Sequence, residues 1–164
     1  MRHHPRILCL AAVVMSPAGG AAAQHGLPIS AFADILSENV AWQPFPAFPP
    51  EARLSVLVGE PAKQGPYVVR VKVPAGVKLQ PHTHPEDRVY TIISGVFYIG
   101  LGTSFDASKL KAYAPGSVII LPHDTPHFHW AQSGEYVSQV AGNGPLGIKY
   151  VNPADDPRNQ AKAR

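Results

Sequence analysis

Between residues 54 and 151 the chain is written in short runs of β-branched and aromatic residues, each closed by Gly or Pro. The runs cover 54–58, 67–73, 77–84, 88–93, 96–101, 117–121, 127–131, 136–140 and 148–151. Many short strands at this spacing close into a sandwich, jelly roll or barrel. No stretch there combines length with a 3.6-residue period, and only 106–111 offers a brief turn of helix. The expected class is therefore all-β. Within 67–73, Val69, Val71 and Val73 alternate with Val68, Arg70 and Lys72, the pattern of a strand with one face buried and one wet.

The flanks read differently. Arg2 and Arg6 precede an apolar run over 7–15, and Ala21-Ala22-Ala23 stands before Gln24. Residues 1–23 are thus expected to be a secretory signal peptide, with an apolar run too short to anchor in a bilayer. The expected location is periplasmic or secreted, with no membrane attachment once the signal is removed. Cys9 is the only cysteine and lies in that segment, so a disulfide framework, a thiolate metal site and a Cys nucleophile are excluded from the remainder. The net charge is +3 over 164 residues, with no basic run, which excludes a nucleic-acid footprint. About 140 residues bury roughly two-thirds of their unfolded surface, enough to fold without a metal staple; a bound metal would be functional. Residues 24–53 form an arm: 31–36 has room for one or two helical turns, and Trp42, Phe45 and Phe48 among Pro44, Pro46, Pro49 and Pro50 suit an extended cover over a sheet edge. The tail from 152 to 164 has no apolar pattern and is expected to be a poorly ordered end.

Histidine is concentrated in a way that composition does not demand. His82-Thr83-His84 is followed by His123 and by His127-Phe128-His129, and both His-x-His pairs fall on expected strands. Residues two apart on a strand share a face, so each pair presents two imidazoles side by side, the geometry that chelates one divalent metal. No Gly-x-Ser-x-Gly elbow or phosphate-cradling glycine loop competes with this reading.

These residues resemble the cupin superfamily. Gly76, His82, His84 and Gly95 stand at the spacings of its first motif, and Gly116, Pro122 and His127 at those of its second, with Asp124 and Ala131 replacing a Gly and an Asn. The resemblance covers about residues 54–151 and looks like the small secreted or periplasmic single-domain cupins of bacteria. It implies a cupin jelly-roll (double-stranded β-helix) barrel, a metal at its mouth held by His82, His84 and His127, and a homodimer. Where the first motif wants a ligating Glu, the chain has Arg88, which has no lone pair to offer a cation. Either the centre has three histidines, as in the cupins that resemble acetylacetone and thiol dioxygenases, or Glu86 or Asp87 supplies a carboxylate.

His129 shares the inward face with His127 on a regular strand, as a fourth ligand, a proton carrier or a structural hydrogen-bonding group. His123, in the Pro122–Thr125 turn, is expected to be an exposed loop side chain. Arg88 either faces in and clamps an anion or turns out to pair with Glu86 or Asp87. Tyr90 follows it at period two and lines the same pocket, as a hydroxyl donor or a packed core residue. Phe128 and Trp130 take the opposite parity, for inter-sheet or dimer packing. The leading functional expectation is one divalent ion, Fe(II) preferred with Zn, Mn or Ni as alternatives, in a dioxygenase of a small enolisable or diketone-like anion, with Arg88, His129 and Tyr90 as its catalytic side chains. The rivals are a non-catalytic metal or small-ligand binder and a Zn- or Mn-dependent isomerase or lyase.

Overall fold

A computed structural model describes residues 32–160; the signal-peptide assignment to 1–23 lies outside them. The described residues form eleven strands: β1 (Gln43–Pro44), β2 (Arg53–Val58), β3 (Gly65–Val73), β4 (Lys78–Thr83), β5 (Arg88–Ser94), β6 (Phe97–Leu101), β7 (Lys111–Tyr113), β8 (Val118–Leu121), β9 (His127–Trp130), β10 (Tyr136–Gly144) and β11 (Lys149–Tyr150). They make two antiparallel sheets, ordered β1-β2-β3-β10-β5-β8 and β11-β4-β9-β6-β7. The all-β expectation holds, and each of the nine runs contains a strand. Among the described residues, helix is confined to 3₁₀ turns at Ser37–Asn39, Ala107–Lys109 and Pro153–Asp155 and one α-turn, α1 (Pro157–Gln160).

The core lies between the sheets and follows from the period of two. Tyr67, Val69, Val71 and Val73 of β3, Tyr90 and Ile92 of β5, and Phe97 and Ile99 of β6 are buried, while the residues between them are half-buried or exposed. Such alternation gives each sheet one apolar face, and two such faces bury each other. Strand β9 departs from it, because His127, Phe128 and His129 are all buried. Phe128 points away from the core and is covered by Phe105, ring centroids 4.9 Å apart. Its ring lies over Gly100, where a Cβ would come within 2.4 Å of it. The covering of this outer face thus comes from the chain's own 102–110 loop, whose 3₁₀ turn is capped by Asp106 accepting from the Ser108 N–H at 3.0 Å.

The arm extends over a sheet edge. Gln43 and Pro44 pair with Leu54 and Arg53 of β2, and Ala47 and Phe48 are buried against the core. Residues 32–36 carry no helix, the 3₁₀ turn starting only at Ser37 with no side-chain cap; so short a segment cannot offset the cost of helix nucleation. The start of the tail, in contrast, is structured. Asn152 Oδ1 accepts from the Ala154 N–H at 3.1 Å, and Arg158 donates to the Ile148 carbonyl at 3.1 Å while pairing with Asp156. An Asx turn and one guanidinium hold it where an apolar pattern would otherwise be needed.

Candidate metal centre

Register brings the two histidine pairs together. His82 of β4 lies opposite His127 of β9, and His129 lies opposite Leu79, a bulge between Leu79 and His82 absorbing the extra residue. His84 stands one residue past the end of β4. Ring centroids are 4.3 Å apart for His82 and His127, 5.0 Å for His127 and His129, and 5.4 Å for His82 and His129. His84 is 5.0 Å from both His82 and His127. All four are buried.

Backbone carbonyls set three of the tautomers. Nδ1 of His82 lies 2.6 Å from Gln80 O, Nδ1 of His84 2.7 Å from Gly147 O, and Nδ1 of His127 2.8 Å from Thr125 O. A carbonyl only accepts, so each Nδ1 carries the hydrogen and each Nε2 keeps its lone pair. Burial, ahead of the neighbouring rings and Arg88, pushes His82, His84 and His129 well below the usual imidazole range, and burial pushes His127 down to about 4. Four neutral imidazoles therefore converge at neutral pH. The Nε2 atoms of His127 and His129 are buried with no hydrogen-bond partner, which is costly unless something else uses them. One ligand atom from each of His82, His127 and His129 lies within 4.8 Å of the others. A site of this composition suits a divalent metal ion, and imidazole suits several of them.

Arg88 faces inward from β5 and is buried, and it is also paired. Its Nε and Nη2 donate to Glu86 Oε1 at 2.9 and 2.5 Å, and Nη2 donates to Gly147 O at 2.9 Å. Glu86 Oε1 accepts from the Tyr67 hydroxyl at 2.7 Å, and Oε2 from the Gly147 N–H at 3.3 Å. The two sequence alternatives for Arg88, inward or paired, are realised together because Glu86 is turned in as well. That leaves Glu86 committed to Arg88 and Tyr67. Asp87 points out, accepting from the His123 backbone and ring at 2.7 and 2.9 Å; His123 is the exposed loop side chain expected of it. Tyr90 is buried, its hydroxyl 3.4 Å from His84 Nε2. Burial, partly opposed by Arg88, raises its hydroxyl above the ordinary range.

A cavity of about 20 Å³ adjoins the cluster, lined by His82, His84, His129, Arg88, Tyr90 and Phe48 among others. Sequence reasoning misses Gly147, whose only signal is a lone glycine in a loop, and gives Phe48 no more than a place in a covering arm. It also misses Glu86 as the internal partner of Arg88, although the Glu-x-Arg spacing on an inward-facing segment is a legible sign.

No protein-family profile matches the chain, and no curated protein matches it in sequence. Solved structures do. The polyketide cyclase RemF from Streptomyces resistomycificus aligns with a TM-score of 0.64 at 16% identity, covering 80% of this chain and 94% of that one. A cupin 2 conserved barrel domain protein from Rhodopseudomonas palustris aligns at 0.57 and 16%, covering 75% and 87%. The fold is the cupin-type double-stranded β-helix. KdgF from Halomonas sp. aligns at 0.53 and 20% identity, over 68% of this chain and 95% of that chain. At such identities the cupin likeness establishes the architecture, and function has to be argued from the site.

Proposed function

We propose that this cupin-fold protein binds one divalent ion on its histidine cluster, with His82 and His127 at the centre, and presents it to a small anionic oxygen donor; loaded with Fe(II), it is a dioxygenase of an enolisable or diketone-like compound. The observation that carries the reading is the pair of buried Nε2 atoms without partners in a set of neutral imidazoles. Arg88 and Glu86 cancel each other's charge, and the imidazoles add none, so the ion's charge is left for an anion to neutralise. A bound ion supplies Lewis acidity toward a ligand oxygen, and iron also supplies a place for dioxygen. Tyr90 supports proton handling at that ligand with its hydroxyl, while Arg88, occupied by Glu86, shapes the site through Gly147. The cavity of about 20 Å³ admits little more than a water-sized group, so the reacting part of the ligand is small.

The test is elemental analysis of protein purified without added metal, beside a His82→Ala, His127→Ala double variant, followed by oxygen uptake of the Fe(II)-loaded protein over a panel of enolisable compounds. One ion per chain, lost in the variant, with substrate-dependent uptake is the expected result. No metal above the variant's level overturns the centre, and metal without oxygen uptake overturns the dioxygenase. A Zn- or Mn-dependent isomerase, cyclase or lyase is the second reading. It is favoured by the Tyr90 hydroxyl at the site, a hydrogen-bond donor that needs no redox partner, and by RemF, a polyketide cyclase on the same fold. Product formation without oxygen separates the two.

The same proposal includes export to the periplasm or medium after loss of residues 1–23, and a homodimer. For the dimer, support comes from β8, an edge strand on which Val118 and Ile120 are exposed. N-terminal mass of the exported protein, and sedimentation of an Ile120→Lys variant, test these points.

A further inference from the structure

Four imidazoles converge where three suffice, and the cluster holds two overlapping sets of three that share His82 and His127. The choice between them rests on the metal-centre reading above and goes beyond it. We propose that His129 and not His84 completes the coordination, and that His84 stands outside it, held between Gly147 and Tyr90.

Three observations carry this. The first is satisfaction. His84 has both nitrogens engaged, Nδ1–H donating to Gly147 O at 2.7 Å and Nε2 accepting from the Tyr90 hydroxyl at a long 3.4 Å. His129 has Nε2 buried and unpartnered, as does His127. A buried nitrogen with nothing to bind is the one a cation stabilises most.

The second is reach. Donor atoms of His82, His127 and His129 lie within 4.8 Å of one another. With metal–nitrogen distances of about 2.1 Å, two ligands of one ion stand at most about 4.2 Å apart, so the three draw in by a few tenths of an ångström. Each already has an outer partner for Nδ1: Gln80 O for His82, Thr125 O for His127, and the Tyr136 hydroxyl, 3.4 Å away, for His129. Such outer hydrogen bonds orient ligating imidazoles.

The third is support. His82, His127 and His129 sit on strands β4 and β9, hydrogen-bonded to each other, whereas His84 lies past the strand end beside Pro85. It is held instead by Gly147, which Arg88 and Glu86 clamp from the other side. Gly147 has no room for a side chain there, since a Cβ would lie 2.7 Å from the Pro85 ring. The clamp fixes the His84 ring with its Nε2 against the Tyr90 hydroxyl.

Co(II) titration of the wild-type protein and of His84→Gln and His129→Gln variants tests the assignment, with optical spectra reporting coordination. His84→Gln is expected to keep one Co(II) per chain with affinity within about tenfold of wild type and an unchanged spectrum, and His129→Gln to weaken binding by more than about 100-fold, beyond an outer-sphere loss. The opposite order, or comparable losses in both, overturns the assignment. Failure of the wild type to bind Co(II) overturns the metal centre itself, and this inference with it. Should His129→Gln fail to fold, a crystal structure of the Co(II)-loaded wild type decides: nitrogen ligands from His82, His127 and His129 are expected, and a bond from His84 to the cobalt overturns the proposal.

Discussion

At the scale of single residues, the histidine cluster rests on a buried pair of side chains beside it. Glu86 and Arg88 are both buried and bonded to each other, and removing one partner of such a pair strands a charge in the interior. Glu86→Gln or Arg88→Met alone is expected to cost about 3–5 kcal/mol, while the double replacement Glu86→Leu with Arg88→Met costs far less or stabilises. Urea denaturation of the three variants reads this directly. The pair was only half legible in the sequence. Arg88 stands out because it occupies a ligand's place in the motif, and Glu86 and Asp87 are both offered as its partners; that Glu86 turns inward with it is decided by Tyr67 and Gly147, which bind the same carboxylate.

At the scale of elements, strand identity was legible because period two and Gly/Pro punctuation are local signals. Strands β1 and β7 were not, since each is short and exists only because a neighbour offers an edge: Gln43–Pro44 pairs with β2, and Lys111–Tyr113 with β6. The turns are demanding. Gly95, between β5 and β6, has φ +70°, and a Cβ there would stand 2.1 Å from the Glu135 carbonyl oxygen. Gly95→Ala is accordingly expected to destabilise by at least about 2 kcal/mol, from left-handed strain and a clash with backbone that cannot yield. Gly102, also at positive φ, has nothing within 4 Å of such a Cβ and is expected to lose only the strain, about 1–2 kcal/mol. Chemical denaturation of the two alanine variants separates the clash from the strain.

At the scale of the whole molecule, the histidine cluster couples stability to pH and to metal. Burial holds all four imidazoles below their ordinary value of 6.5, His127 at about 4. The folded protein therefore keeps them neutral where the unfolded chain takes up protons. Their contribution is fully present above about pH 6.5 and is lost as pH falls through that value toward 4 and below, by up to about 1.4 kcal/mol per pH unit for each histidine. Thermal melts of metal-free protein from pH 8 to 4 should show a midpoint that drops steeply below pH 6.5. A divalent ion at about 100 times its Kd adds about 2.7 kcal/mol, a rise of roughly 10 °C in Tm for a domain of this size, reversed by a chelator. Absence of any metal-dependent shift would sink the centre.

The sequence by itself determined the all-β class, the boundaries of most strands, and the fact that two His-x-His pairs face one way, because each follows from chemistry within a few residues of chain. It also marked Arg88 as a departure. Tertiary structure alone decided what those residues do. The pairing of β4 with β9 sets His82 against His127, the Gly147 loop reaches back to hold His84 and Arg88, and Glu86 neutralises Arg88 inside the barrel. Hydrogen-bond satisfaction and distance between donor atoms are properties of space, fixed only when His82 meets His127, 45 positions on, and Gly147 meets Arg88 and His84, 59 and 63 positions back.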